Sequence, residues 1–298
     1  MYVVAGSTGY LGGLLADELA ARERDVRCMA RDPESARERF GDRCDVVRGD
    51  VLEPETLDDA LAGAELAYYL VHSMGRGGDG DFAERDRCGA RNFAEAAARA
   101  GVERIVYLGG LGEGKSAHLR SRQETAEGLA STGVPLTYFR AAIVIGAGSE
   151  SLQTIAYLVK RLPAMITPSW TETKTQPIAA ADAVAFLAAA PDVPASSGRE
   201  IQIGGPDVTT YGGLLDLAAE VNGMRRRPRL SVPILSPSLS SHWIGLITPV
   251  DAGVARPLVE GLSTETIVED PSGMELFDVA RTPLERAMRE AVPEALES

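Results

Sequence analysis

Two hydrophobic patterns alternate along the chain. One is the solid apolar run that stops at glycine or charge: "MYVVAG", "DVRCMARD", "CDVVRGD", "AELAYYLVHS", "ERIVYLGGLG", "VPLTYFRAAIVIG" and "REIQIGG". Short apolar runs bounded in this way predict buried strands. The other is helical spacing, first seen at Leu11, Leu14, Leu15 and Leu19 in "YLGGLLADELAARE". "PETLDDALAG" predicts a helix with Pro54 near its start and Gly63 at its end. "FAERDRCGARNFAEAAARAG" predicts a long amphipathic helix ending at Gly101, and "SAHLRSRQETAE" begins another. Strands that are apolar throughout and alternate with helices imply an α/β fold, a doubly wound parallel sheet of about seven strands. After about residue 147 proline and serine become denser, in "PDVPASSG", "VPILSPSLSS" and "ITPV". The expected organisation is a core over residues 1–147, with the remaining strands and a small C-terminal lobe over 148–298, all in one continuous domain.

Composition narrows the function classes. The 298 residues carry 43 acidic and 30 basic side chains, a formal net charge of −13. Such a surface repels nucleic acid and anionic membrane, so neither is an expected partner. All the basic residues except Lys115, Lys160 and Lys174 are arginine, which fits a salt-rich habitat or a GC-rich genome equally. No apolar run is long enough for a spanning helix, and the N-terminus enters a strand without a signal-peptide pattern. Cys28, Cys44 and Cys88 are odd in number and widely spaced. Reduced thiols and a cytoplasmic location are expected, with no disulfide frame. The three histidines lie far apart without clustered carboxylates, so no metal site is expected.

The first strand runs into "GSTGYLGG", where Gly6, Gly9 and Gly12 follow a G-x-x-G-x-x-G spacing. Between a strand and a helix, such glycines allow a tight turn, close approach to a pyrophosphate and close helix packing. The loop residues Thr8, Tyr10 and Leu11 join them as expected cofactor contacts, with Leu70 at the end of the fourth strand. An NAD site places an acid at the end of the second strand, against the ribose 2′-hydroxyl. Here "RCMARDPE" offers Arg31, which can pair with a 2′-phosphate. NADP(H) is therefore expected rather than NAD(H). Asp32 argues the other way, although Pro33 turns the chain directly after it. Asp50 and Val51 after the third strand suit the adenine edge; Asp50 suits a helix N-cap equally well.

Together, "GSTGYLGG", "GDVLEPETLDDAL", "GVERIVYLGGLG", "PLTYFRAAIVIGAGS" and "QPIAAADAVAFL" resemble the atypical or extended branch of the short-chain dehydrogenase/reductase superfamily. The NmrA-like and epimerase-like NAD(P)-binding proteins are the most similar groups, over roughly residues 1–220. The resemblance implies a Rossmann-type sheet of order 3-2-1-4-5-6-7, with the nicotinamide over the ends of the fourth and fifth strands. It also implies a Ser or Thr, a Tyr and a Lys for proton transfer. Those positions hold Gly109 and Gly110, His118 and Arg122.

On a helix, residues four apart share a face, so His118 and Arg122 could both reach the cofactor. Arg122 can hold ribose or phosphate but cannot shuttle a proton. His118 is a candidate general acid, and His72, beside Ser73 at the end of the fourth strand, is the other. Tyr68, Tyr69 and Tyr107 read as core, and Arg140 as half of an ion pair with Asp182. His242 and Trp243 read as packing. The amphipathic "LQTIAYLVKRLPAMI" falls where this fold builds a substrate lid; its apolar wall suits a small, uncharged substrate or a homodimer interface in the C-terminal lobe. Three readings stay open. The first is an NADP(H)-dependent reductase of a small apolar carbonyl or quinone-like compound. The second is a non-catalytic NADP(H)-sensing regulator or assembly factor, with no small-molecule substrate. The third is a sugar-nucleotide epimerase or dehydratase, which would need the missing Tyr.

Overall fold

The computed structural model describes residues 1–72, 82–112, 117–162, 165–232 and 263–296, with only the backbone for 117, 118, 165–170 and 229–232. Seven strands form one sheet: β1 (Tyr2–Ala5), β2 (Val26–Ala30), β3 (Asp45–Arg48), β4 (Leu66–Tyr69), β5 (Arg104–Gly110), β6 (Leu136–Ala141) and β7 (Glu200–Ile203). Their order is β7-β6-β5-β4-β1-β2-β3, and every neighbouring pair is parallel. The order reverses at β1, which pairs with β2 on one side and β4 on the other. A crevice opens at such a reversal, outside the carboxyl ends of the strands.

Side chains alternate between the two faces of each strand. Tyr2, Val4, Cys28, Tyr68, Val106 and Phe139 pack beneath α1 (Tyr10–Ala21) and α7 (Ala180–Ala189). Val3, Ala5, Ala67, Tyr69, Ile105 and Tyr107 face α3 (Leu57–Leu61), α4 (Phe82–Ala100) and α5 (Ala117–Ala130). Tyr68, Tyr69 and Tyr107 are core residues, as their strand runs imply. Tyr107 stacks on Tyr138 at 5.2 Å, and Phe139 meets Phe277 edge-on at 5.5 Å. Each such ring pair adds about 0.5–1.5 kcal/mol beyond simple burial.

A third apolar cluster joins α6 (Glu150–Arg161), α8 (Tyr211–Val221) and α9 (Leu284–Ala295) over the carboxyl end of the sheet. The inward stripe of α9 is Ala287, Met288, Ala291, Val292 and Ala295, at helical spacing. Between β2 and β3 runs α2 (Pro33–Phe40). Among the described residues no helix is long and apolar enough to cross a membrane.

Two details depart from the sequence reading. The run "VPLTYFRAAIVIG" is not one strand. β5 ends at Gly110, so Ala141 is the last residue of β6 with a partner there. The chain then turns, and Val144–Ile145 pairs instead with Ile178–Ala179. Arg140 does not pair with Asp182. Its guanidinium meets Glu200 on the adjacent β7 at 2.6 Å and donates to the carbonyls of Gly110 (3.1 Å) and Gly112 (2.6 Å). Asp182 is occupied elsewhere, accepting from the Thr282 backbone N–H (2.6 Å) and hydroxyl (2.9 Å) just before α9.

Candidate cofactor and substrate cavity

The glycine loop has the shape its spacing implies. Gly6 sits at φ +86°, and a Cβ there would stand 2.7 Å from the Leu70 carbonyl group. Only glycine takes that conformation in that space at little cost. A Cβ on Gly12 would stand 2.1 Å from the Gly6 carbonyl oxygen, so its absence lets α1 start against the loop. Ser7 ties the loop to β2 by donating to the Met29 carbonyl (3.2 Å). Gly9 is the N-cap of α1 and makes no side-chain cap, and the first turn holds no acid. The free N–H groups of such a turn attract an anion. Tyr10 fills a notch beside Gly146 and Gly148, where a Cβ at either position would come within 2.3 Å of its ring or hydroxyl.

The loop forms one wall of a cavity of 580 Å³ over the carboxyl end of the sheet. Gly6, Thr8, Gly9, Tyr10, Leu11 and Gly12 line it. So do Arg31 after β2, Asp50 and Val51 after β3, and Leu70 and His72 after β4. Arg122 enters from α5. His118 lies on α5, with its side chain outside the described residues, as are Ser73, His242 and Trp243.

The two acids that complicated the sequence reading have local duties. Asp32 caps α2, accepting from the N–H groups of Glu34 (3.1 Å) and Ser35 (3.4 Å). Arg31, one residue earlier, is exposed and lines the cavity. Asp50 is not the N-cap of α3. It holds its own turn by accepting from the Leu52 N–H at 2.9 Å, while its N–H donates to Thr56 Oγ1.

At the end of β5, where the resemblance implies a hydroxyl residue, the structure leaves little room. A Cβ on Gly109 would stand 2.7 Å from the Tyr138 ring. Arg122 lies among Tyr107, Tyr138 and the buried Asp86 on α4; burial opposes its charge, but these neighbours outweigh that and raise its pKa. His72 has the opposite fate. The residue keeps a face open to the cavity, yet crowding by protein atoms and then the Arg122 charge push its imidazole down to about 4. At neutral pH it is an uncharged ring that can donate or accept a hydrogen bond but is scarcely ever an imidazolium acid.

The opposite wall is mainly apolar. Ile143 and Val144 follow β6, Ile155 and Leu158 come from α6, and Leu215 comes from α8. The α6 segment is where the sequence pattern points. Tyr211 and Thr266, also in this wall, carry no spacing or motif that would have marked them.

Residues 6–134 match the family described as NAD(P)H-binding. Over 286 residues the chain is 25% identical to NADH dehydrogenase [ubiquinone] 1 alpha subcomplex subunit 9, mitochondrial, of Arabidopsis thaliana, covering 90% of this chain and 70% of that protein. A nucleoside-diphosphate-sugar epimerase from Staphylococcus aureus superposes with a TM-score of 0.78 at 15% identity, over 97% of this chain and 99% of the other. An NADPH-dependent quinone oxidoreductase from Escherichia coli, complexed with NADPH, superposes with a TM-score of 0.74 at 20% identity, over 99% of this chain and 100% of the other. The glycine loop and strand order thus go with an NAD(P)H-binding match over residues 6–134 and with a fold shared with epimerase and reductase structures.

Proposed function

We propose that the protein is an NADP(H)-dependent reductase of a small, mainly apolar carbonyl or quinone-like compound. The observation that carries this reading is a cavity with two unlike walls: a glycine loop with Arg31 on one side, and aliphatic side chains of α6 and α8 on the other. The residues fit a dinucleotide. Gly6 and Gly12 leave the space that a Cβ would fill, and α1 begins without a side-chain cap. Tyr10 and Leu11 would offer backbone N–H groups to the pyrophosphate, Arg31 would meet the 2′-phosphate, and Asp50 and Val51 would border the adenine. Bound there, the reduced dinucleotide supplies hydride. Arg122 would hold ribose hydroxyls as a fixed cation with several donors. The aliphatic wall would exclude water and favour an uncharged substrate. Epimerisation is set aside because it needs a tyrosine where this chain has His118.

A non-catalytic NADP(H) sensor is the second reading. It is favoured by Gly109, where even a serine Cβ would strike the Tyr138 ring. Parallel calorimetric titrations with NADPH, NADP⁺ and NADH test both. Comparable binding of both NADP forms, with NADH at least about tenfold weaker and the difference erased in Arg31→Ala, supports the reductase. A strong preference for one redox state supports the sensor. No binding of any of the three defeats both.

A further inference from the structure

The expected proton-transfer set is missing from β5 and α5, and His72 is uncharged at neutral pH. The far wall of the cavity holds another hydroxyl array. Tyr211, the first residue of α8, lines the cavity, as does Thr266. The Tyr211 hydroxyl is hydrogen-bonded to the hydroxyls of Thr266 and Thr175. Thr266 in turn donates to Thr175 Oγ1 at 2.8 Å. The backbone fixes all three. Lys174–Thr175 pairs antiparallel with Thr209–Thr210, which runs directly into α8, and Thr175 bridges Thr266 in parallel. The Tyr211 N–H also donates to the Thr173 carbonyl at 3.3 Å.

This array stands near the carboxyl end of β5. The Thr266 methyl group would lie 3.2 Å from a Cβ on Gly112, two residues past that strand. Arg140 holds the Gly112 carbonyl at 2.6 Å, so that approach is braced. Tyr211 belongs to the same apolar cluster as Leu215, one turn along α8, and Ile155, with Leu158 packed against that cluster. Burial pushes the Tyr211 phenol pKa upward, and the two threonine hydroxyls pull it part of the way back. The phenol therefore stays protonated at neutral pH.

We propose that Tyr211 binds the substrate's carbonyl oxygen and gives it a proton, taking the role the chain lacks on α5. This rests on the reductase reading. In the step, hydride from NADPH forms the new C–H bond and the C=O π pair moves to oxygen. The O–H bond of Tyr211 breaks, and its proton completes the alcohol. The carbonyl compound is reduced and NADPH is oxidised to NADP⁺. The tyrosinate left behind is stabilised by a hydrogen bond from Thr175, whose oxygen accepts from Thr266, then regains a proton from water. Thr266 and Thr175 are positioning residues: they fix the phenol and lower the cost of its ionised form.

The test uses 1,4-naphthoquinone as an uncharged carbonyl probe, titrated calorimetrically into the full chain saturated with NADP⁺, where no turnover occurs. Tyr211→Phe keeps the ring and removes only the hydroxyl. It is expected to bind naphthoquinone about five- to tenfold more weakly, the loss of one hydrogen bond, with NADP⁺ affinity unchanged. In ¹³Cζ-tyrosine spectra of the wild type, the resonance absent from Tyr211→Phe should shift when naphthoquinone is added. Where Tyr211→Phe does not fold, Thr266→Val serves instead, with a two- to fivefold loss. Equal naphthoquinone affinity in wild type and variant overturns the inference. So does NADP⁺ binding with no naphthoquinone binding by the wild type, which leaves the cofactor reading standing. Absence of NADP⁺ binding overturns the proposed function, and this inference with it.

Discussion

Gly12→Ala places one methyl group against the backbone of the glycine loop between β1 and α1. Its carbon would stand 2.1 Å from the Gly6 carbonyl oxygen and 2.8 Å from the Gly6 carbonyl carbon, where ordinary contact begins at 3.4 Å. The struck atoms are backbone, so no side chain can swing aside. Either α1 withdraws from the loop or Gly6 moves, and Gly6 is itself held by its left-handed φ and by Leu70. Overpacking of this kind costs about 1–3 kcal/mol. For a chain of this size that lowers the unfolding temperature by roughly 2–10 °C. The larger effect is on binding. If the shift removes one loop N–H from the pyrophosphate, the loss of a hydrogen bond to a charged group is about 1.5–3 kcal/mol, or roughly ten- to a hundredfold in NADPH affinity. Gly101→Ala is the control. Gly101 also has a positive φ (+74°), but a Cβ there would meet nothing within 4 Å. It should lose about 1–2 kcal/mol of stability from backbone strain and no affinity. The assay is a calorimetric NADPH titration with a thermal melt on each variant. If Gly12→Ala binds NADPH within about twofold of wild type, the loop is not where the phosphates sit and the reasoning fails.

Acid lowers stability through His72. Its folded pKa of about 4 lies below the ordinary 6.5, so between those values the unfolded state binds more protons and stability falls as pH falls. Because the residue is solvent-accessible, the effect is discounted to about 1 kcal/mol; melts at pH 7 and pH 4 should differ less for His72→Ala than for wild type. Arg140→Ala removes the donors of two carbonyls and the partner of Glu200, for a loss of about 2–4 kcal/mol by chemical denaturation, and Arg140→Lys should restore only part because one ammonium cannot span all three acceptors. Asp182→Ala should cost about 1–2 kcal/mol, read by hydrogen exchange as faster opening of α9, because Thr282 loses its acceptor just before that helix.

The sheet and the glycine-loop wall of the cavity were legible because local pattern encodes them. Each strand is a short apolar run, and the glycine spacing is read within a few residues of β1. Arg31 could be separated from Asp32 because Pro33 signals the turn that commits Asp32 to capping α2. The opposite wall was only partly legible. Amphipathic spacing marks α6, but Tyr211, Thr175 and Thr266 come from three separate segments, and no local rule connects them. Arg140 shows the same limit. Its partner is set by which strand lies beside β6, and β7 arrives only after α7.

A fragment ending at residue 147 would hold the whole glycine loop and the full NAD(P)H-binding match, which stops at residue 134. It would lack β7, leaving β6 as a bare edge of unpaired N–H and C=O groups. Phe139 would also lose Phe186 and Phe277, which now enclose it. An open, apolar edge recruits other chains. The module that reads as self-contained on paper should therefore aggregate when expressed alone. The NAD(P)H-binding match is complete early in this polypeptide, but the edge and ring it leaves open are covered only by residues that arrive between positions 186 and 277.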